Sequence, residues 1–333
     1  MEITNTLYNC PKNLYFPLDK YGYFLEEPLN NSNRWNQKIV CSILDKDYSR
    51  YISTTLMVGL DYFKLIEIYK FMSCHNKITP RIIRMYPEHK TILCESIGEF
   101  LLVYLKRRSF ETKEILAAVF DYFRELQFIN QHYERFIVPL IIEISLQLDK
   151  KLMKDFEFLP RFQEVLPHLK EANVKFAYGY GIEDPHIWNF RVEKVQGRVK
   201  AFTTDFDYFS SAVNCDWELG YFYATFRWLR ESDYFLANKA EGLLLSLIKG
   251  QDVRSQFMFW LGVLSSYCGY RDSLINQMKD GRFDELEKQR CIISELDKTL
   301  SSLACNLLEN VKDDSENDVS HVGLKLKNRK SEK

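Results

Sequence analysis

The sequence predicts an α+β fold, in which a small antiparallel sheet comes first and a mainly helical portion follows. Short apolar runs separated by polar turns are typical of strands, and they fill the first part of the chain. From Thr112 onward the apolar residues recur every three or four positions, which is the period of helices packed on a core. A hydrophobic content of 46% over 333 residues is enough to fill two compact lobes.

The sheet lobe is predicted over residues 1–95, and a helix over 61–74 interrupts its strands. We predict strands at 14–18, 21–25, 39–44, 51–58, 81–86 and 91–95. The helical lobe is predicted over 96–310, and it also contains a strand at 176–180. Its helices are predicted at 112–126, 136–148, 161–172, 221–230, 234–248, 255–267 and 283–308. Residues 311–333 are charged and poor in large apolar side chains, so we predict a disordered tail.

The stretch 178–207 contains the residues most suited to chemistry. Its loop leads into two predicted strands, 190–195 and 199–203, joined by a Gln-Gly turn. If these strands pair, Asn189 before the first and Asp205 after the second lie side by side. Mg²⁺ prefers such oxygen ligands and takes the rest from phosphate and water. Asp184, on the preceding loop, is then free to orient or deprotonate a hydroxyl.

The motif Asp184-Pro185-His186 with Asn189, the hairpin, the segment 204–207 and the run DWELGY at 216–221 resemble a known group. They are similar to the catalytic half of the aminoglycoside phosphotransferase and choline kinase group, which has the two-lobed protein-kinase-like fold. The resemblance implies that Asp184 is the catalytic base and that Asn189 and Asp205 bind Mg²⁺. It further implies ATP as phosphate donor and Asp216 as a structural acid that steadies the catalytic loop. The group usually has His-Gly-Asp where this chain has Ile-Glu-Asp at 182–184.

The resemblance also assigns residues around this motif and in the sheet lobe. Residues 95–99, here called the hinge segment, resemble the segment whose main chain reads adenine, so Glu95 and Ile97 are expected as backbone contacts. Glu67 is the candidate acid that would pair with a strand lysine. His186 would either contact phosphate or pack locally, and Asp207 adds negative charge near the site.

Two parts that hold phosphate in the group are not evident in this sequence. The polar loop at 30–33 contains no glycine, and Thr54 stands near the position expected for the strand lysine. Lys38 and Lys64 lie nearby in sequence. Either the phosphates are held unconventionally or they are not held.

The favoured function is ATP- and Mg²⁺-dependent transfer of phosphate to a hydroxyl of a small molecule. The alternative is a catalytically silent kinase-like module that binds nucleotide or a protein partner. The missing lysine and glycine-rich loop favour that alternative, whereas Asp184, Asn189 and Asp205 oppose it. A purely structural helical protein would leave these three residues unexplained. Nothing in the sequence favours a particular acceptor or oligomeric state.

Charge and hydropathy exclude other classes of partner. Lys plus Arg number 45 and Asp plus Glu number 46, so no net field attracts nucleic acid. No apolar run approaches the roughly 18 residues of a membrane span. The N-terminus has neither the basic start nor the apolar run of a signal peptide. The eight cysteines are scattered, and we expect free thiols in a cytoplasmic protein.

Overall fold

The structure is a computed structural model, and the chain forms two compact units in it. One unit comprises residues 1–125 and 188–209, and the other comprises 126–187 and 210–333. The residues that the structure describes are 16–28, 38–56, 62–63, 66, 79–107, 111–132, 136–139, 159–182, 185–203, 209–228, 242, 245–246, 248–277, 291 and 294–311. The lobe limits predicted at residues 95 and 310 stay a prediction.

A five-stranded antiparallel sheet forms the first part of the first unit, as the sequence predicts. Its order is β1-β2-β3-β5-β4. The strands are β1 (Tyr23–Pro28), β2 (Lys38–Asp45), β3 (Arg50–Leu56), β4 (Ile82–Tyr86) and β5 (Thr91–Glu95). The turn between β2 and β3 is closed by the Asp45 carboxylate, which accepts hydrogen bonds from the Asp47 and Ser49 amides at 2.8 and 2.9 Å. This side-chain bonding explains why a turn forms at an Asp-rich segment.

The strand predicted at 14–18 is wrong over its described residues. Phe16 and Pro17 have no regular structure, and Leu18 is in a turn before the 3₁₀ turn Asp19–Tyr21. Phe16 is nevertheless buried, because its ring stacks on Tyr21 at 5.2 Å and packs against Tyr86 at 4.7 Å. The apolar pattern therefore identified a core residue but not its backbone conformation.

The first unit also contains a three-stranded sheet of order β10-β9-β6. Strand β6 (Glu99–Phe100) leads into α1 (Leu101–Arg107) and then α2 (Thr112–His132). Strands β9 (Phe190–Val195) and β10 (Arg198–Thr203) pair antiparallel, from Arg198 opposite Val195 to Thr203 opposite Phe190. The predicted hairpin is therefore confirmed.

The second unit contains a third sheet, of order β11-β8-β7. Its strands are β7 (Phe136–Pro139), β8 (Lys175–Ile182) and β11 (Phe209–Val213). The helix predicted at 136–148 is wrong over 136–139, because β7 pairs antiparallel with β8. A short buried apolar run has no periodicity that separates strand from helix, and proline disfavours helix in the residue before it. Residues 140–148 lie outside the described residues.

The second unit also contains helices. They are α3 (Pro160–Glu171), α4 (Cys215–Trp228), α5 (Val253–Gln277) and α6, over 294–311. These helices confirm the predictions at 161–172 and 255–267 and, over their described parts, those at 221–230 and 283–308. Asp297 of α6 accepts the amide of Phe162 at 2.9 Å, so α6 satisfies a free donor at the start of α3. Helix α6 includes Val311, and the rest of the predicted tail lies outside the described residues.

Helices α4 and α5 pack with close backbone contact. A Cβ added to Gly220 of α4 would overlap the carbonyl oxygen of Phe259, and one added to Gly262 of α5 would overlap that of Trp217. Both positions therefore require glycine, for lack of space. Within the described residues, no helix is long and apolar enough to cross a membrane.

Candidate functional site

The β9–β10 hairpin places Asn189 at the end remote from its turn. Asn189 closes the 3₁₀ turn Ile187–Asn189 just before β9, and its carbonyl oxygen accepts a hydrogen bond from the Thr203 hydroxyl at 3.4 Å. Thr203 is fully buried. Of the other predicted site residues, Asp184, Asp205, Glu67 and Asp207 lie outside the described residues. Asn189 is thus the one predicted metal ligand whose position the structure describes.

Local sequence explains why the hairpin forms in this register. Gln196 and Gly197 have φ values of 51° and 79°, and positive φ at both central residues is the geometry of a type I′ turn. At the other end, the Phe190 ring meets Tyr122 edge-on at 5.1 Å and packs beside Phe123 at 5.9 Å. Phe190 and Val192 are both fully buried. The turn fixes the register, and burial of this face fixes the hairpin against α2.

The hinge segment lies between β5 and β6. The Glu95 amide donates to the Arg81 carbonyl at 3.0 Å, and the Glu95 carboxylate accepts from the Arg81 amide at 2.9 Å. A base contact at Glu95 would therefore have to use its carbonyl oxygen. Ile97 is 3% exposed, and its carbonyl oxygen accepts a hydrogen bond from the Arg191 guanidinium. Both residues predicted to read the base are thus held in defined positions.

In the second unit, Glu218 holds the strand that leads to Asp184. Its Oε1 accepts a hydrogen bond from the Ile182 amide at 2.8 Å, and the side chain is fully buried. Burial raises the pKa of Glu218 well above its usual value. Its Oε2 has no hydrogen-bond partner among the described residues and lies 2.6 Å from where a Cβ on Gly181 would be. A Cβ at position 181 would displace this carboxyl group or the Val213 side chain.

The sequence did not reveal the role of Glu218. The resemblance instead implied that Asp216 steadies the catalytic loop. A signal was present, because Glu218 is an acidic residue one position before the buried Leu219, in a helix whose next turn contains the buried Phe222. A carboxyl group on the buried side of a helix requires a polar partner. The long-range partner itself, 36 residues away, has no signature in the sequence.

Asp216 lies at the start of α4 beside a cavity of about 280 Å³. Burial raises the pKa of Asp216, whereas a hydrogen bond from Ser255 of α5 lowers it. Asn214 caps the helix, since its Oδ1 accepts the amides of Asp216 and Trp217, both at 3.0 Å. Its Nδ2 donates to the Ala177 carbonyl of β8 at 2.9 Å. The role of Asp216 in steadying the catalytic loop stays a prediction.

His186 is in the loop that precedes Asn189. Burial lowers its pKa to about 4, so the imidazole is neutral at neutral pH. A neutral ring brings no positive charge to a phosphate. Whether His186 contacts phosphate or packs locally stays a prediction.

Strand β3 lacks the lysine that the resemblance calls for. Its sequence is RYISTTL, and Thr54 pairs with Val40 on one side and Ile92 on the other. Lys38 opens β2 opposite Leu56, and Lys64 lies outside the described residues. The described part of the sheet therefore offers no strand lysine at this position.

Among the described residues, no group of three or more His, Cys, Asp or Glu side chains could hold a metal ion. A carboxamide at the fixed end of a hairpin supplies the hard oxygen ligand that Mg²⁺ takes, and Mg²⁺ commonly binds through one or two protein groups plus phosphate and water. Asn189 together with Asp205 fits this pattern.

Comparison with solved structures gives matches at TM-scores below 0.5. A choline/ethanolamine kinase family protein from Mesorhizobium loti is 13% identical, with a TM-score of 0.47 over 82% of this chain and 89% of that chain. An amicoumacin kinase in complex with AMP-PNP and Ca²⁺ is 13% identical, with a TM-score of 0.48 over 86% and 89%. An aminoglycoside phosphotransferase from Alicyclobacillus acidocaldarius is 12% identical, with a TM-score of 0.43 over 91% and 98%.

No family model matches the chain, and comparison with curated proteins gives no match either.

Proposed function

We propose that this chain is an ATP- and Mg²⁺-dependent phosphotransferase that acts on a hydroxyl of a small molecule. The register of the β9–β10 hairpin is the observation that carries the proposal, because it puts Asn189 and Thr203 at the same end. Asp205 follows Thr203 by two residues, and two extended residues span at most about 7 Å. We therefore expect its carboxylate to reach a metal ion bound to Asn189.

In this proposal the side chains divide the work of phosphoryl transfer. Asn189 and Asp205 hold Mg²⁺, which neutralises negative charge on the transferred phosphoryl group when bound. Asp184 orients the acceptor hydroxyl and takes its proton. Glu218 fixes the Ile182 amide two residues ahead of Asp184, and so limits where the catalytic loop begins.

The hinge segment gives the nucleotide a second point of attachment. The Glu95 carbonyl and the Ile97 amide would read the edge of the base through the main chain. Such reading needs a backbone fixed in advance, and the contacts of Glu95 with Arg81 and of Ile97 with Arg191 support that requirement.

A specific observation favours the second candidate, a silent module that binds nucleotide or a protein partner. Strand β3 carries no lysine to neutralise the phosphates. If nothing else supplies that charge, the chain can bind nucleotide without transferring phosphate. A silent module that binds nucleotide differs from the phosphotransferase only in turnover, whereas one that binds a protein partner need not bind nucleotide.

Calorimetric titration with AMP-PNP, with and without Mg²⁺, tests the binding part. Asn189→Ala and Asp205→Ala should each weaken Mg²⁺-dependent binding at least about tenfold, since each removes a ligand of the metal. Asp121→Ala, at an exposed position of α2, is the control and should bind as the wild type does. Unchanged Mg²⁺-dependent binding in the Asp205 variant would refute the metal assignment.

Turnover separates the two candidates. ATP hydrolysis is measured alone and with added hydroxyl compounds, including choline, ethanolamine and amino sugars. In an active kinase, Asp184→Asn lowers turnover by orders of magnitude and leaves nucleotide affinity nearly intact, because Asp184 acts on the acceptor and not on the metal. Nucleotide binding with no turnover in the wild type would instead support the silent module.

A further inference from the structure

Arg191 of β9 is buried, with 7% of its surface exposed. Among the described residues, no carboxylate forms an ion pair with it. One guanidinium nitrogen, Nη1, donates to the carbonyl oxygens of Ile97 and Gly98 at 3.2 and 3.3 Å. The guanidinium also lies over the Phe100 ring, 4.2 Å from its centre. Every one of these contacts is with residues 97–100.

A buried cation is costly unless it is paired, so its place here needs a reason. Phe190 and Val192, the neighbours of Arg191 in β9, point to the opposite face of the strand, and Phe190 packs on α2 there. Arg191 therefore lies on the other face of the strand. Burial lowers the pKa of Arg191, and Glu27 raises it. If the residue at position 191 only filled space on this face, an apolar side chain would be enough.

A second, independent feature brings the same segment onto β9. Gly98 has φ +35°, and a Cβ there would overlap the carbonyl oxygen of Val192. The backbone of the hinge segment thus presses directly against β9. Glu99 and Phe100 then continue as β6, paired with Val192 and Arg191. The backbone contact brings the segment close, and the Arg191 hydrogen bonds orient its carbonyl groups.

The same strand begins immediately after Asn189. We propose that Arg191 is the positioning residue that ties the hinge segment to the Asn189 end of the hairpin, so that the base and the metal-bound phosphates of one nucleotide are held at a fixed separation. This inference rests on the proposed function, because it takes the hinge segment as the base site and Asn189 as a metal ligand. It adds a residue that touches neither base nor metal but sets the distance between their sites.

Hydrogen exchange of the nucleotide-free protein tests the anchoring. In Arg191→Met, which keeps an unbranched side chain but removes the donors, the amides of residues 97–100 should exchange at least about tenfold faster. Arg191→Lys, which retains charge and one donor group, should restore part of the protection. Arg198→Met on β10 is the matched control, because Arg198 is an exposed arginine of the same hairpin. Its exchange should equal that of the wild type.

Titration with two probes then tests the consequence for the nucleotide. Arg191→Met should bind Mg²⁺–AMP-PNP roughly tenfold more weakly and Mg²⁺–tripolyphosphate, which has no base, as the wild type does. A general loss of structure would weaken both probes equally. Circular dichroism confirms that each variant is folded at the temperature of the titration.

The outcomes distinguish this inference from the proposed function. A wild-type chain that binds neither probe overturns the proposed function, and the inference falls with it. A wild type that binds both, with an Arg191→Met variant that binds AMP-PNP equally well or exchanges no faster at 97–100, overturns the inference alone. Equal weakening toward both probes also overturns it.

Discussion

The contact between α4 and α5 makes a strong prediction about stability. In Gly220→Ala, the new Cβ would lie 2.7 Å from the carbonyl carbon and 3.0 Å from the Cα of Phe259, where ordinary contacts are 3.4–4 Å. The obstacle is backbone, which cannot rotate away, so the two helices must move apart. Overpacking of this kind costs about 3 kcal/mol at the upper end of its usual range. Alanine recovers about 1 kcal/mol through its better helix propensity. The net loss is about 2 kcal/mol.

Thermal and urea unfolding measure this loss against a matched control. Gly242→Ala is the control, because Gly242 is helical and a Cβ there meets nothing within 4 Å. Gly242→Ala gains only the stabilisation that comes from the better helix propensity of alanine. Its melting temperature should therefore rise by about 2 °C, whereas that of Gly220→Ala should fall by about 4 °C. A Gly220→Ala chain that melts at or above the wild type would show that α4 and α5 do not pack as described.

The partner glycine provides an internal check of the same reasoning. Gly262→Ala would place a Cβ 2.8 Å from the Trp217 carbonyl carbon and 2.9 Å from the Tyr221 nitrogen. One separation of the two helices relieves both overlaps. The double variant should therefore lose clearly less than the sum of the single losses, as expected for coupled neighbours. Strict additivity would mean that the two sites do not share one interface.

Three further predictions concern ionisation and the end of the chain. Folding raises the pKa of Glu218, so between pH 4.5 and that raised pKa the folded state binds more protons than the unfolded state. Over this pH range the free energy of unfolding therefore falls as pH rises, by up to about 1.4 kcal/mol per pH unit. Glu218→Gln should remove this slope in urea unfolding measured from pH 4.5 upward, and an unchanged slope would contradict the assignment. Folding lowers the pKa of His186 from 6.5 to about 4, so its contribution to the free energy of unfolding is complete above pH 6.5. This contribution is lost as pH falls from 6.5 to about 4, by up to about 3 kcal/mol. His186→Gln should be less sensitive to acid than the wild type, and equal acid sensitivity would argue against burial of the ring. A chain that ends at Val311 should melt like the full chain, since the residues beyond it have little apolar surface, and a large loss would show that they dock.

Sequence patterns predicted the strands of the first sheet, the β9–β10 hairpin and most helices, because these depend on nearby residues. Alternation, the Gln196-Gly197 turn and the apolar flanks all act within the hairpin itself. The strand at 136–139 was predicted as helix for the converse reason. Its conformation depends on pairing with β8, whose partner residues begin 36 positions later, at Lys175.

By itself the sequence determined the succession of strands and helices and the three polar residues, Asp184, Asn189 and Asp205, on which the proposed function depends. Only the tertiary structure decided which side chains hold the segments around them. Glu218 reaches Ile182 across 36 residues, and Arg191 reaches Ile97 across 94. Neither contact follows from local periodicity, since each joins separate elements through a buried polar group. Their partners are set by how sheets and helices pack, which brings together residues that the chain keeps far apart.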